Sequence, residues 1–246
     1  MSCVGIVAAL ASEARAFAPA APTARAGEVV RLEDDALLTV SGMGWDGAQA
    51  AAQRLARAGA TALASVGTAG GLDPALRCGT VLVPREVLAL EGQPLVPHAP
   101  WRAAVLAALP RDCQVSEGAL LTSGDPIGSR LEKAIAWRES GCVAVDMESA
   151  AVARFAASAA VPFVVLRVIV DTAGDELPGP VVAASRGGQL ALGRLLWGLA
   201  LTPWNIAALY RLARRFRTAC GVLTRLGEAD LPARRALTAG QWRGSV

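Results

Sequence analysis

A chain of 246 residues, 53% hydrophobic and only 18% charged, can bury a sizeable core and is not a disordered polypeptide. Its net charge of +3 is too small to imply nucleic acid as a partner. Lys133 is the only lysine among the 24 basic residues, and the arginines cluster late in the chain. Five scattered cysteines, no CxxC pair and the single histidine His98 are poor material for a metal site or a disulfide framework. Reduced cysteines in a cytoplasmic protein are therefore expected. Because an apolar run starts almost at once with no basic segment before it, a cleaved leader is not expected.

Residues 3–10 read as a first strand. Residues 11–15 open a short helix, with Ser12 as candidate N-cap and Glu13 as a first-turn carboxylate favoured by the helix dipole. Pro19, Pro22 and Gly27 make residues 19–36 a loop with an edge hairpin. A strand at 37–41 stops at Gly42-Met43-Gly44, and an alanine-rich helix over 48–58 is ended by Gly59. The next strand, 62–66, stops at Gly67-Thr68-Ala69-Gly70-Gly71, and another over 80–83 stops at Pro84. The stretch 85–117 shows little pattern beyond a helix over 101–109. A short strand at 119–122 stops at Ser123-Gly124-Asp125-Pro126, followed by a helix over 131–140. Residues 143–148 then pass directly into an alanine-rich helix, 149–157. After Pro162, the run Val164-Val-Leu-Arg-Val-Ile-Val170 has the β-branched, apolar character of a strand buried on both faces. It ends at Asp171.

The repeated order of apolar run, small or acidic cluster and helix indicates an α/β domain with a substantially parallel sheet. In such sheets ligands bind beyond the carboxyl ends of the strands, where Asp171 and the glycine clusters stand. Each cluster taken singly is also an ordinary turn. A dinucleotide site fails on detail, because no cluster has G-x-G-x-x-G spacing, and there is no phosphate-binding G-x-x-x-x-G-K-[ST] loop.

Four motifs in order, Ser41-Gly-Met-Gly44, Val66-Gly-Thr-Ala-Gly-Gly-Leu72, Val145-Asp-Met-Glu-Ser-Ala-Ala151 and Arg167-Val-Ile-Val-Asp171, resemble the nucleoside phosphorylase and nucleosidase superfamily. The similarity is greatest to its methylthioadenosine/S-adenosylhomocysteine nucleosidase branch and covers residues 3–185. It implies a three-layer α/β/α fold around a mixed, largely parallel sheet, a homodimer or larger assembly, no cofactor, and cleavage of the C1′–N bond of an adenine nucleoside. Residue by residue, it implies that Asp171 protonates the leaving purine and that Glu13 activates water. Glu148 would hold the ribose hydroxyls and Met147 would pack on the sugar. Thr68 and Arg167 would stand near the nucleophile; Gly70 and Ile127 are further candidates for binding the substrate.

The chemistry suits these residue types. Breaking the glycosidic bond leaves an oxocarbenium-like ribose and a purine anion unless the base is protonated, and a positioned acid is worth ~10²–10⁴ in rate. Asp171 must then be neutral in the bound state, so its burial should raise its pKa. Glu148 should be ionised to stabilise developing positive charge. Arg167, inside an apolar strand, needs a carboxylate or a bound anion. Two departures matter. Ser65 stands where some phosphorylases have a phosphate-binding arginine, which argues for water as the nucleophile, with phosphate as the alternative. Pro126-Ile127 stands where nucleosidases usually offer an aromatic residue to the base.

Residues 1–190 are expected to form the catalytic domain and 191–246 a helical, apolar and arginine-rich extension. Its apolar run 195–210 is interrupted by Pro203 and Asn205 and is shorter than the ~20 residues of a spanning helix. Tryptophans followed by Arg211, Arg214, Arg215, Arg217 and Arg225 suit an element lying in a membrane interface, on the inner face of the membrane. The alternative is a helix pair packed on the domain or on a second subunit. This extension resembles the hopanoid-biosynthesis-associated branch of the superfamily, which implies adenosylhopane, a lipid-linked nucleoside, as substrate. A soluble nucleosidase for methylthioadenosine or S-adenosylhomocysteine is the second reading. A lipid-binding protein on a disused scaffold is a third, and retention of Asp171, Glu148 and Glu13 together counts against it.

Overall fold

Where apolar and β-branched residues run together, the chain forms strands, and their order builds one sheet. The computed structural model describes residues 3–21, 25–32, 36–89, 91–185 and 206–229. Its strands are β1 (Val4–Ala8), β2 (Val29–Arg31), β3 (Leu37–Val40), β4 (Ala62–Gly71), β5 (Val81–Leu82), β6 (Val87–Ala89), β7 (Val115–Ser116), β8 (Leu120–Thr122), β9 (Ala144–Asp146) and β10 (Phe163–Ile169). They are ordered β2-β3-β1-β4-β10-β5-β7, and β6-β8-β9 join through the far end of β4. The central strands β3, β1, β4 and β10 are parallel, whereas β2, β5 and β9 meet their neighbours β3, β10 and β4 antiparallel. The sheet is thus mixed and largely parallel.

Strand alternation splits the core in two. Ile6, Val66, Leu166 and Val168 face one layer; Val7, Leu63, Val165 and Ile169 face the other. The first layer is closed by residues of α1 (Ala11–Phe17) and α3 (Ala99–Ala108), among them Phe17 and Trp101. The second is closed by the alanine-rich helices α2 (Trp45–Arg57) and α5 (Ser149–Ser158), whose small side chains let them lie close to the sheet. The result is a three-layer α/β/α fold. Helices α4 (Arg130–Ser140), α6 (Gly179–Ser185) and α7 (Ile206–Glu228) complete the described chain.

Three expectations change in detail. Strand β4 does not stop at Val66 but continues to Gly71, because Gly70 and Gly71 offer their backbone to β9 while residues 63–69 pair with β10. Ser12 does not cap α1; the helix starts at Ala11, and the Glu13 carboxylate accepts the Leu10 N–H at 3.0 Å instead. The stretch 85–117 contains the strands β6 and β7, of three and two residues, too short to leave a period in the sequence. Most of the apolar run 195–210 and everything after Ala229 lie outside the described residues. Within them, α7 packs along α1, and its Ala219, Leu223 and Leu226 are buried in the same core as Phe17. Among the described residues no helix is long and apolar enough to cross a membrane.

Candidate active site

The clusters that follow β1, β3, β4, β8, β9 and β10 meet around one cavity of about 390 Å³ at the carboxyl ends of these strands. That volume lies in the range of small-molecule pockets. Glu13, Met43, Thr68, Gly70, Ile127, Met147, Glu148 and Asp171 line it. Seven of the eight expected site residues are therefore in one place. The eighth, Arg167, is not in the lining; it is buried behind it.

Glu13 is 2% exposed and accepts hydrogen bonds only. Thr68 supplies two of them, from its N–H at 2.8 Å and its Oγ1 at 2.6 Å. Extension of β4 through Thr68 is what aims both donors at one carboxylate oxygen. Gly67 makes room for this arrangement. A Cβ there would lie 2.5 Å from Arg167 Nη1 and 3.0 Å from the Glu13 carboxyl group.

Glu148 stands at the junction between β9 and α5, and its side chain is not spent on capping the helix. Asp146 takes that task, accepting the Ser149 N–H at 3.1 Å and the Thr122 hydroxyl at 2.7 Å. Glu148 Oε1 instead accepts the Gly44 N–H at 2.8 Å across the cavity. Gly44 has φ +88, a conformation that favours glycine, so the Ser41-Gly-Met-Gly44 motif works through its backbone. Arg167 Nη2 reaches Asp146 at 2.7 Å and Glu148 at 3.9 Å, and donates to Ser65 at 2.8 Å and Ser149 at 3.0 Å. The partner that an arginine in a buried strand requires is thus Asp146, and Ser65 serves the arginine. Burial, and then the neighbouring Asp146 charge, push the Glu148 pKa up to about 7; Arg167 and the Gly44 N–H oppose them.

Asp171 lies two residues beyond β10, within reach of a Cβ at Gly70, so glycine there leaves the carboxyl group its space. Burial raises its pKa, and an ion pair with Lys133 pulls the other way. Sequence reasoning missed Lys133, Asp146 and Ser149. Asp146, three residues before the start of a helical run, carried a readable capping signal. Lys133 was visible only as the one lysine of an arginine-rich chain.

The remaining wall is apolar. Leu209, Leu212, Ala213 and Phe216 of α7 face Leu177 and Val181 around the cavity. Arg215 of α7 pairs with Asp175, and Arg225 with Asp112 at 2.7 Å, which ties the helix to the domain. Among the described residues no group of three His, Cys, Asp or Glu is placed to hold a metal ion.

The sequence model of the phosphorylase superfamily matches residues 4–191. A 5′-methylthioadenosine/S-adenosylhomocysteine nucleosidase of a Marinomonas species is 34% identical over a stretch covering 46% of this chain and 58% of that protein. The chain thus matches a little over half the length of this curated relative. Futalosine hydrolase of Helicobacter pylori superposes with a TM-score of 0.71 at 16% identity, covering 93% of this chain and 96% of that one. The methylthioadenosine/S-adenosylhomocysteine nucleosidase of Colwellia psychrerythraea, solved in complex with adenine, superposes with a TM-score of 0.69 at 20% identity, covering 100% and 97%. At these identities the structures establish the shared fold.

Proposed function

This chain belongs to the phosphorylase superfamily, and from that membership we propose that it is a purine nucleosidase cleaving the N-glycosidic bond of an adenine nucleoside with water. The observation that supports this most is one cavity lined by four buried carboxyl groups, of which Asp146 is taken up by Arg167, Thr122 and Ser149 while Glu13, Glu148 and Asp171 have different partners. In this reading the purine lies by Gly70 and Ile127, the ribose hydroxyls donate to Glu148, and Met147 packs on the sugar. As the C1′–N bond breaks, its electron pair goes to the purine, which takes a proton from Asp171. Water bonds to C1′ and gives its proton to Glu13, held in place by Thr68. Arg167 acts on the site through Asp146 and Glu148. Asp171→Asn should lower adenine release by at least ~10²-fold, with the fold checked by circular dichroism; turnover at the wild-type rate would sink the assignment. Water rather than phosphate is favoured because the Glu13 carboxylate would repel an anionic nucleophile. Formation of the 5′-substituted ribose, rather than its 1-phosphate, in phosphate buffer is the corresponding check.

For the substrate we favour adenosylhopane. The apolar wall of α7, with Leu177 and Val181, suits a hydrocarbon attached to the ribose better than it suits water. The second reading, a methylthioadenosine or S-adenosylhomocysteine nucleosidase, is favoured by the name of the 34% identical relative. Turnover of the two substrates side by side separates them, and preference for the small nucleoside reverses our choice. Tyr210, Arg211, Arg214 and Arg217 are exposed on α7, a face suited to an anionic membrane surface on the cytoplasmic side. If so, changing these three arginines to glutamate should release the protein from anionic liposomes. A homodimer is the assembly that the family resemblance implies, and sedimentation velocity tests it.

A further inference from the structure

Helix α4 delivers a fully buried lysine to the carboxyl group that the proposed reaction needs as its acid. The helix is firmly placed. Ser129 and Glu132 form a capping box at its start, and Gly141, at φ +67, ends it. In its first turn Lys133 sends Nζ to Asp171 Oδ2 and donates also to the carbonyl oxygens of Thr172 at 2.8 Å and Asp175 at 3.0 Å. All three ammonium protons are therefore used. The nearby charges are occupied elsewhere. The Asp175 carboxylate is held by Arg215, the Thr172 N–H and the Thr172 hydroxyl, the Glu132 carboxylate by its own cap, and Arg130 faces Glu176 at 3.9 Å. The Cys78 thiol and the Arg215 guanidinium also sense the charges of Asp171 and Asp175. Among the described residues Asp171 is the one carboxylate paired with this ammonium.

Burying an ammonium is costly, and the other 23 of the chain's 24 lysines and arginines are arginines, the better side chain for simply holding a carboxylate. What arginine cannot do is release a proton. We infer that Lys133 is a positioning residue that keeps Asp171 supplied with the proton it delivers to the departing purine; the inference rests on the nucleosidase reading above. When Asp171 protonates the purine nitrogen, Lys133 passes a proton across its hydrogen bond to Oδ2 and becomes a neutral amine. Water adds to C1′ and its proton goes to Glu13. After the products leave, that proton returns by way of solvent to the Lys133–Asp171 pair, so no proton is gained or lost overall.

The test uses Lys133→Arg and Lys133→Met in the full chain, with two substrates. One is the purine nucleoside; the other is its 4-nitrophenyl riboside counterpart, whose leaving group departs as a stable anion without a proton. For the purine nucleoside, kcat should fall at least about tenfold with KM within about threefold, and the alkaline limb of kcat in Lys133→Arg should move to lower pH. For the nitrophenyl riboside, kcat should stay within about threefold of wild type. Wild-type turnover of the purine substrate by Lys133→Arg, an unmoved alkaline limb, or equal losses on both substrates would each overturn the inference. Should Lys133→Met fail to fold, Lys133→Arg, which keeps the buried charge, decides alone. Asp171→Asn is run in parallel. If the wild-type protein releases no purine, the nucleosidase reading itself fails; if Asp171→Asn retains purine release, the acid is not Asp171 and the inference falls with it; if Asp171→Asn loses activity while Lys133→Arg does not, only the role of Lys133 falls.

Discussion

Glu148→Gln should make the protein more stable in mild alkali and poorer as a catalyst. Burial beside Asp146 lifts the Glu148 pKa from its ordinary 4.5 to about 7 in the folded chain. A carboxyl group whose folded pKa is raised stabilises the fold fully below about pH 4.5 and loses that contribution as pH rises through about 7. At about 1.4 kcal/mol per pH unit, the gap corresponds to about 3 kcal/mol of stability forfeited by pH 8. A glutamine cannot ionise, yet it keeps an oxygen for the Gly44 N–H. With ~2–4 °C in Tm per kcal/mol for a chain of this size, the variant should melt about 5 °C or more above wild type at pH 8. The two proteins should melt together near pH 4.5. Thermal unfolding followed by circular dichroism between these pH values reads the difference, which isolates Glu148 from every other titrating group. Curves that stay parallel across the range would refute the reasoning. Turnover should fall ~10²-fold or more, because the amide offers no charge to an oxocarbenium-like ribose.

Gly67→Ala should cost both stability and activity, since its Cβ would meet Arg167 and the Glu13 carboxyl group at 2.5 and 3.0 Å. A well-folded Gly67→Ala with normal turnover would show that the Glu13–Thr68 geometry is not needed. Asp146→Asn keeps one acceptor oxygen, 2.7 Å from the Thr122 hydroxyl and 3.4 Å from the Ser149 N–H, but leaves Arg167 without its 2.7 Å carboxylate partner, a loss of about 3–5 kcal/mol in urea unfolding. A loss below about 1 kcal/mol would mean that Glu148 takes over the arginine. Leu212→Ser and Phe216→Ser should raise KM for adenosylhopane several-fold while leaving KM for methylthioadenosine within about twofold, and equal shifts would argue against a lipid chain along α7.

Much of this site was legible because its residues sit at strand ends, where an apolar run breaks into glycine or acid. Val164 to Asp171 and Val143 to Glu148 are such breaks, and both end in the cavity. Composition and period cannot show pairings across long separations. The Gly44 N–H meets Glu148 over 104 residues, and Lys133 meets Asp171 over 38. Neither contact leaves a local pattern. Strand β4 was read too short for a related reason: Gly67, Gly70 and Gly71 look like a turn until neighbouring strands supply the hydrogen bonds that keep them extended. The capping role of Glu13 was misassigned to Ser12 because both are good N-terminal residues, and only the position of Leu10 decides which of them receives a backbone N–H.

Glu13, Glu148 and Asp171, three of the carboxyl groups in one largely apolar cavity, can divide the chemistry only if their partners differ. Glu13 meets three donors and no cation within ion-pair distance among the described residues, which fixes the carboxylate proposed as the base. Glu148 is held by the Gly44 N–H at 2.8 Å, a longer Met147 N–H at 3.3 Å and a distant guanidinium, with a second carboxylate beside that guanidinium. Its charge is therefore poorly stabilised in the empty cavity, and ribose hydroxyls are the donors that would complete it. Binding of a ribonucleoside near pH 6 should accordingly release protons, and a 2′,3′-dideoxy analogue should release fewer; calorimetry in buffers of different ionisation enthalpy counts them. Equal proton release by both ligands would remove Glu148 from the sugar. Asp171 alone faces an ammonium, and that ammonium comes from a lysine, which unlike the arginines of this chain is able to return a proton. The proposed acid role thus rests on the partner as much as on the carboxyl group.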